Sequence, residues 1–241
     1  CKVQHKEVQK SGRVVETEIH TYKFPKESYP ETNPQGFKGF DDLQALTVYH
    51  TGKNKFISEL CKHIMDTNRK ENRGCILAFT PTIKHAKLVC VTLAKYLNIS
   101  PSERELEENG IALYNAAMPD SQKLKIRQKI EKGDILLTLT TDTLSTGIDI
   151  PRVYDCIDIS GQLKTNVTLQ RSGRAVRVFE KGKTGRMHII FDDQSGLLRG
   201  ISTKKQKLLE EYYQNKSVFH NQPPWKDPEP TEKETFLKIN K

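Results

Sequence analysis

Two stretches decide the fold: residues 141–151, TDTLSTGIDIP, and residues 170–177, QRSGRAVR. The second stretch sets Arg174 and Arg177 three residues apart, so on a helix both guanidiniums can project from one face. Each planar guanidinium can bind phosphate oxygens through two parallel hydrogen bonds. The first stretch follows an apolar run and contains a glycine, as ligand-binding loops at the carboxyl ends of parallel strands do. Together they predict a site for a polyanion in an open α/β sheet.

Strand and helix patterns alternate on both sides of these stretches. Five short apolar runs predict strands, at residues 75–79, 111–114, 135–139, 154–159 and 187–191. Helical spacing predicts a helix that begins at Thr82, one that ends at Gly133, one over residues 167–176 and one over Lys204–Tyr213. Continuous apolar strands that alternate with helices are typical of parallel strands buried on both faces. We therefore predict an α/β fold with an open parallel sheet of about five strands and helices on both faces.

The two ends of the chain have a different character. Lys2–Val8 and Arg13–Lys23 flank a turn signal and are rich in β-forming residues, which predicts a β-hairpin. The segment from Pro223 onward is polar and proline-rich, so we expect a mostly extended tail that packs poorly. The predicted organisation is a β-rich N-terminal extension, a main domain and an extended tail, at residues 1–50, 51–216 and 217–241. The chain begins at Cys1 without a methionine, and we expect it to be a fragment of a longer protein.

The composition indicates what kind of partner the protein binds and in which cellular compartment it is found. The 241 residues include 39 Lys and Arg against 30 Asp and Glu, and the net charge of +9 favours an anionic partner such as nucleic acid. The alternative is a lysine-rich surface that serves solubility. The five cysteines form no CxxC pair and the seven histidines show no metal-ligand spacing, so we predict no metal and no disulfide framework. This predicts a reducing, intracellular compartment, and no apolar run approaches the ~18 residues of a membrane span.

In their order along the chain, the two opening stretches resemble motifs V and VI of the superfamily 2 helicases and translocases. Residues 75–81 with the helix from Thr82 resemble motif IV, and residues 114–118 resemble the segment called IVa. The resemblance covers residues 53–200 and implies the second RecA-like domain of such a motor. Motif VI opens with a glutamine where DEAD-box proteins usually have histidine. The chain is in this respect more similar to the UvsW, XPB and RadD group of duplex-DNA translocases and to restriction-enzyme motors.

The resemblance implies a role for each of ten residues. It implies two arginine fingers and an orienting glutamine as the catalytic set: Arg174, Arg177 and Gln170. It implies nucleotide contacts for a second set: Gly147, Asp149 and Gly173. It implies contacts with nucleic-acid phosphates for a third set: Thr80, Asn115, Thr141 and Thr143. Each has a structural alternative, such as a surface ion pair for an arginine or an Asx-type turn for the aspartate.

The basic cluster Lys204, Lys205 and Lys207 adds non-specific phosphate contacts in one interpretation and forms a solvated helix face in the other. Neither a Gly-x-x-x-x-Gly-Lys-Ser/Thr phosphate loop nor an Asp-Glu-x-His motif occurs in the sequence. In the family these lie on the first RecA-like domain. We therefore expect ATP and Mg²⁺ to be held mainly by that domain, and the fragment alone to be inactive.

The predicted function is the second motor domain of an ATP-dependent nucleic-acid helicase or translocase. Its expected partners are nucleic acid, DNA more than RNA, and the first RecA-like domain of the same protein, with no membrane. Two alternatives stay open. One is a restriction-system translocase subunit, and the other is a non-enzymatic nucleic-acid-binding module that keeps a helicase-like fold.

Overall fold

The computed structural model describes residues 16–25, 47–141, 150, 152–161, 165–175 and 184–225. Within these ranges the strands are β1 (Thr17–Lys23), β2 (Cys75–Phe79), β3 (Ile111–Tyr114), β4 (Leu137–Thr140), β5 (Val153–Asp158), β6 (Gly185–Phe191) and β7 (Val218–His220). The helices are α1 (Thr51–Lys70), α2 (Ile83–Leu97), α3 (Glu103–Glu108), α4 (Asp120–Lys132), α5 (Thr165–Ala175) and α6 (Gly196–Tyr213). The predicted alternation of strands and helices is confirmed.

The strands form one seven-stranded sheet in the order β3-β4-β2-β5-β6-β1-β7. All six neighbouring pairs are parallel, as the continuous apolar runs predicted. The sheet has two strands more than the five that the sequence indicated. The additional strands are β1 and β7, which come from the two ends of the chain.

Strand β1 lies inside the sheet rather than in a separate hairpin. It pairs in parallel with β6 over its whole length and with β7 from His20 to Tyr22. Both of its edges are therefore occupied by parallel partners, and the prediction of an antiparallel hairpin is wrong over Thr17–Lys23. The predicted domain of residues 51–216 accordingly does not contain the whole sheet, since β1 and β7 lie in the predicted extension and tail.

Helices cover both faces of the sheet, as predicted. On one face α1, α2 and α3 bury an apolar cluster that includes Leu60, Val89 and Leu106. On the other face α4 and α6 bury a second cluster that includes Ile130 and Leu209, and Leu169 of α5 packs against it. Alternating residues of the strands supply both clusters, because successive side chains of a strand point to opposite faces.

Helix boundaries follow the capping chemistry of the sequence. The Thr82 hydroxyl accepts a hydrogen bond from the His85 N–H and starts α2, as predicted. Gly133, at a φ of 86°, ends α4, also as predicted. Helix α6 begins eight residues before the predicted start at Lys204, because the Ser195 hydroxyl caps it. The short helix α3 was not predicted at all.

The start of the predicted tail packs against the sheet-covering helix α1. The indole N–H of Trp225 donates to Glu59 over 3.1 Å, and its ring lies 5.5 Å from that of Phe56 and 6.0 Å from that of Tyr22. The expectation that the chain packs poorly from Pro223 onward is therefore wrong for Trp225. A single aromatic residue supplies enough apolar surface to fix a segment that is otherwise polar.

Gly74, just before β2, is required by a close approach of the backbone. A Cβ at this position would lie 2.0 Å from the carbonyl oxygen of Arg152. That carbonyl accepts a hydrogen bond of 2.7 Å from the Cys75 N–H, so it cannot move away without losing a link between β2 and β5. Arg152 itself has a φ of 61°, a left-handed conformation that adds to the local constraint.

We predict that Gly74→Ala lowers the free energy of unfolding by about 1–3 kcal/mol, the usual cost of forcing extra volume into a packed site. The matched control is Gly200→Ala inside α6, where an added Cβ meets nothing within 4 Å. Alanine is preferred over glycine in a helix interior by roughly 0.5–1 kcal/mol, so this control stabilises. Urea denaturation of both variants measures the difference, and equal effects at the two positions would contradict the steric explanation.

Candidate functional site

The carboxyl ends of all seven strands lie at one edge of the sheet, because the strands are parallel. We call this the carboxyl edge. Thr80, Asn115 and Thr141 follow β2, β3 and β4, which are neighbours in the sheet. The structure therefore brings these three predicted nucleic-acid residues to one edge. Four other predicted site residues lie outside the described residues: Thr143, Gly147, Asp149 and Arg177.

Two of the three side chains at the carboxyl edge bond to the protein's own backbone. The Thr80 side chain is buried, and its hydroxyl lies 3.1 Å from the carbonyl oxygens of both Thr82 and Thr140. The Asn115 Oδ1 accepts from the Ala117 N–H over 3.0 Å. Both side chains hold strand-end loops in place. A phosphate contact from Thr80 would compete with its existing hydrogen bond, whereas one from Asn115 would use its Nδ2 amide group and leave the bond at Oδ1 in place. Thr141 is half-buried.

Helix α5 carries residues 170–175 of the second opening stretch and packs on β5. Gln170 is exposed, and Gly173 is half-buried, with no atom of the described residues within 4 Å of an added Cβ. A glycine inside a helix costs stability relative to alanine, and internal packing does not require one at this position. Gly173 therefore leaves the backbone of α5 accessible to a ligand.

Arg174 is 5% exposed and lies on the same helix. Burial lowers the pKa of its guanidinium from the ordinary value, with a smaller opposing contribution from the Cys156 thiol of β5. The guanidinium stays protonated, since arginine is always charged in proteins. A charge with little water around it interacts with an anion more strongly than one on an open surface does.

Arg171 anchors α5 to the end of β5 through a buried polar network. One of its guanidinium nitrogens, Nη1, donates to Asp158 Oδ1 over 2.8 Å and to Ser160 Oγ over 2.7 Å. Its guanidinium carbon lies 5.3 Å from the centre of the Phe79 ring, a cation–π contact with β2. The helix that carries Gln170 and Arg174 is thus fixed to two central strands.

Lys205 of α6 completes this network from the other side. Its ammonium nitrogen lies 2.8 Å from Asp158 Oδ2 and donates to the Ser160 carbonyl over 2.7 Å. Burial alone would raise the pKa of the Asp158 carboxyl, but the charges of Lys205 and Arg171 hold it below its ordinary value. Burial lowers the pKa of Lys205, and Asp158 partly offsets this. The carboxylate at the end of β5 is shared by two cations from two helices.

Both interpretations of the basic cluster, phosphate contacts and a solvated helix face, are wrong for Lys205, because its side chain is buried and paired. Sequence reasoning also missed Asp158 and Ser160. Signals for Asp158 and Lys205 exist in the sequence. Asp158 is a charged residue at the end of an apolar strand, and a charge buried there needs a partner. The buried positions of α6 recur at helical spacing, and Lys205 occupies one of them: Leu198, Ser202, Lys205, Leu209 and Tyr213.

The described residues form no group of three or more histidine, cysteine, aspartate or glutamate side chains that could hold a metal ion. Four cysteines, at positions 61, 75, 90 and 156, are buried there as free thiols. Within the same ranges, every helix is too short or too polar for a transbilayer span.

Residues 53–179 match the helicase conserved C-terminal domain family, and the match covers motifs IV to VI. This chain belongs to that family. The ATP-dependent RNA helicase DBP3 of Saccharomyces cerevisiae is 28% identical over 151 residues, which cover 62% of this chain and 25% of DBP3. The chain spans only about a quarter of the length of such relatives.

Solved structures share the fold at low sequence identity. The crystal structure of UvsW from T4 superposes with a TM-score of 0.64 at 14% identity, covering 87% of this chain and 42% of UvsW. Dbp5 of S. cerevisiae, bound to RNA and ADP BeF3, gives a TM-score of 0.54 at 17% identity, covering 92% of this chain and 45% of Dbp5. The expected resemblance to the second RecA-like domain of superfamily 2 helicases is confirmed.

Proposed function

We propose that this chain is the second motor domain of an ATP-dependent superfamily 2 helicase or translocase that acts on nucleic acid. The observation that carries the proposal is the anchoring of α5. Arg171 holds this helix to the end of β5, so that Gln170, Gly173 and Arg174 lie on a helix anchored at the same edge of the sheet as Thr80, Asn115 and Thr141. One rigid unit therefore couples a nucleotide-facing helix to nucleic-acid-facing loops.

The residues of α5 fit a nucleotide phosphate. Gln170 is exposed, the backbone at Gly173 is accessible, and Arg174 adds a cation, so all three can contribute hydrogen-bond donors to a phosphate. Arg174 and Arg177 would stabilise charge on the transferring phosphoryl group, and Gln170 would orient its neighbour or the nucleotide. ATP supplies the phosphoryl group and the free energy of the cycle. Mg²⁺ prefers carboxylate ligands, so we assign it to the first RecA-like domain.

RNA is the substrate to test first. DBP3 is named as an RNA helicase, and Dbp5 was solved with RNA bound. The preference for DNA that motif VI suggested has no support from these relatives. We infer that phosphate contacts dominate binding, because such contacts position a strand without reading its sequence.

We predict that the 241-residue chain binds single strands weakly, with a dissociation constant at or weaker than ~10⁻⁵ M at physiological salt. Affinity falls steeply as salt rises, since each phosphate contact releases counterions, and ATP has little effect. Anisotropy titrations of labelled oligo-U and oligo-dT at two salt concentrations, with and without ATP, measure this.

Two results of these titrations would contradict the proposal. Tight, salt-insensitive and sequence-selective binding would favour a dedicated binding module over a motor domain. A lack of binding to either strand, even at low salt, would remove nucleic acid as the partner. ATP hydrolysis by the complete protein, stimulated by RNA or DNA, separates a motor from a module of the same fold.

A further inference from the structure

Tyr49 is a large aromatic residue held in an exposed position next to the start of α1. It is 51% exposed, and the ammonium nitrogen of Lys84 lies 5.0 Å from the centre of its ring. Lys84 belongs to the first turn of α2. We call Tyr49, Lys84 and the first turns of these two helices the Tyr49 corner.

The backbone that carries Tyr49 is fixed by buried neighbours. Val48 is 4% exposed, and its carbonyl accepts a hydrogen bond of 2.8 Å from Asn54 Nδ2. Asn54 Oδ1 in turn lies 2.9 Å from His85 Nε2, which ties the segment to α2. On the other side, His50 caps α1 by accepting from the Lys53 N–H over 2.9 Å. The exposure of Tyr49 is therefore a property of an ordered site.

The electrostatics of the Tyr49 corner favour an anion. The N-termini of α1 and α2 both begin here, and neither helix has an acidic residue in its first turn. Unsatisfied N–H groups give a helix N-terminus a partial positive charge. The exposed side chains of Lys55, Lys84 and Lys87 add three full charges on the first turns of the two helices and the turn that follows.

The Tyr49 corner lies at the carboxyl edge. Helix α2 starts at Ile83, three residues after Thr80, which follows the end of β2. Thr47 lies near Gly161, three residues after the end of β5, since a Cβ added to Gly161 would lie 3.5 Å from the Thr47 methyl group. Lys53 in the first turn of α1 pairs with Asp192, which follows β6, over 2.7 Å. Tyr49 is thus on the same edge as the strand-end loops of the proposed nucleic-acid site.

We propose that Tyr49 is a stacking platform for an unpaired base of a single strand, with Lys84 on the adjoining phosphate. The inference rests on the proposed function and adds a base contact to its phosphate contacts. Base–aromatic stacking accepts every base, because each has a π-face, and this suits a motor that moves along a strand. The cationic surroundings favour nucleic acid over a protein surface as the occupant.

The test compares strands with and without bases. Tyr49→Ala is expected to weaken binding of the 241-residue chain to oligo-U about tenfold at low salt, while binding to an abasic strand of equal length is unchanged. Tyr49→Phe keeps the π-face and retains the affinity. Tyr96→Ala is the matched control, because Tyr96 is 49% exposed but lies in the last turn of α2, away from the carboxyl edge. Thermal unfolding confirms that each variant is folded.

The outcomes separate this inference from the function on which it rests. Unchanged oligo-U binding by Tyr49→Ala, or an equal loss on both strands, would overturn stacking while leaving the motor domain in place. A failure of the unmodified chain to bind either strand would overturn both. A selective loss on oligo-U that Tyr49→Phe restores establishes the platform.

Discussion

Arg174→Ala in the complete protein is expected to lower nucleic-acid-stimulated ATP turnover by about 10³-fold or more. An arginine that stabilises charge on a transferring phosphoryl group contributes roughly 10³–10⁵ in rate. Two features of Arg174 support this assignment. Its side chain is buried, and Arg171 fixes its helix to the sheet. Steady-state ATP hydrolysis with saturating single-stranded RNA is the measurement.

Two further variants show what the loss of ATP turnover in Arg174→Ala means. Arg199→Ala removes an exposed arginine of α6 and is expected to leave turnover unchanged. Arg174→Lys keeps the charge but not the planar fork, and it recovers only part of the rate. If turnover by Arg174→Ala stays within a few-fold of the unmodified protein, Arg174 is not an arginine finger.

Asp158→Asn is expected to lower the free energy of unfolding by about 3–5 kcal/mol. Removing one partner of a buried ion pair leaves an uncompensated charge in the interior, and this substitution leaves two, on Arg171 and Lys205. Because the pKa of Asp158 is lowered in the fold, its contribution is present at every pH above about 4 and is lost only in stronger acid. Urea denaturation at pH 7 measures the effect.

The control for this substitution is Glu108→Gln, which breaks the exposed pair between Glu108 and Arg104 on α3. Exposed pairs contribute little, so no measurable change is expected. If Asp158→Asn proves no more destabilising than this control, the network around Asp158 does not stabilise the fold.

The elements that sequence patterns predicted well are those that local chemistry determines. Helix α5 was predicted at residues 167–176, between two strand patterns, and it runs from Thr165 to Ala175. Thr82 and Gly133 marked helix ends through capping and a left-handed φ, both of which depend on a few adjacent residues. The parallel sheet followed from apolar runs of the right length.

The features that patterns missed depend on contacts between distant residues. Thr17 pairs with Gly185 and His20 with Val218, and no local period encodes these partners. The environment of Lys205 depends on Asp158, 47 positions earlier in the chain, so neighbouring lysines made it look like part of a solvated cluster. Of the ten predicted site residues, the structure places six, and their roles in binding and catalysis stay predictions.

The order of strands in the sheet determines which strand edges are open to pairing with another copy of the protein. Among the described residues, the outermost strands are β3 and β7, with four and three residues. An edge strand has unpaired N–H and C=O groups that can bond to a strand of another molecule, and a short edge strand has few of them. Because β1 and β7 cover β6, the seven residues of β6 are withdrawn from such contact. The positions of β1 and β7 thus disfavour intermolecular β-pairing through β6.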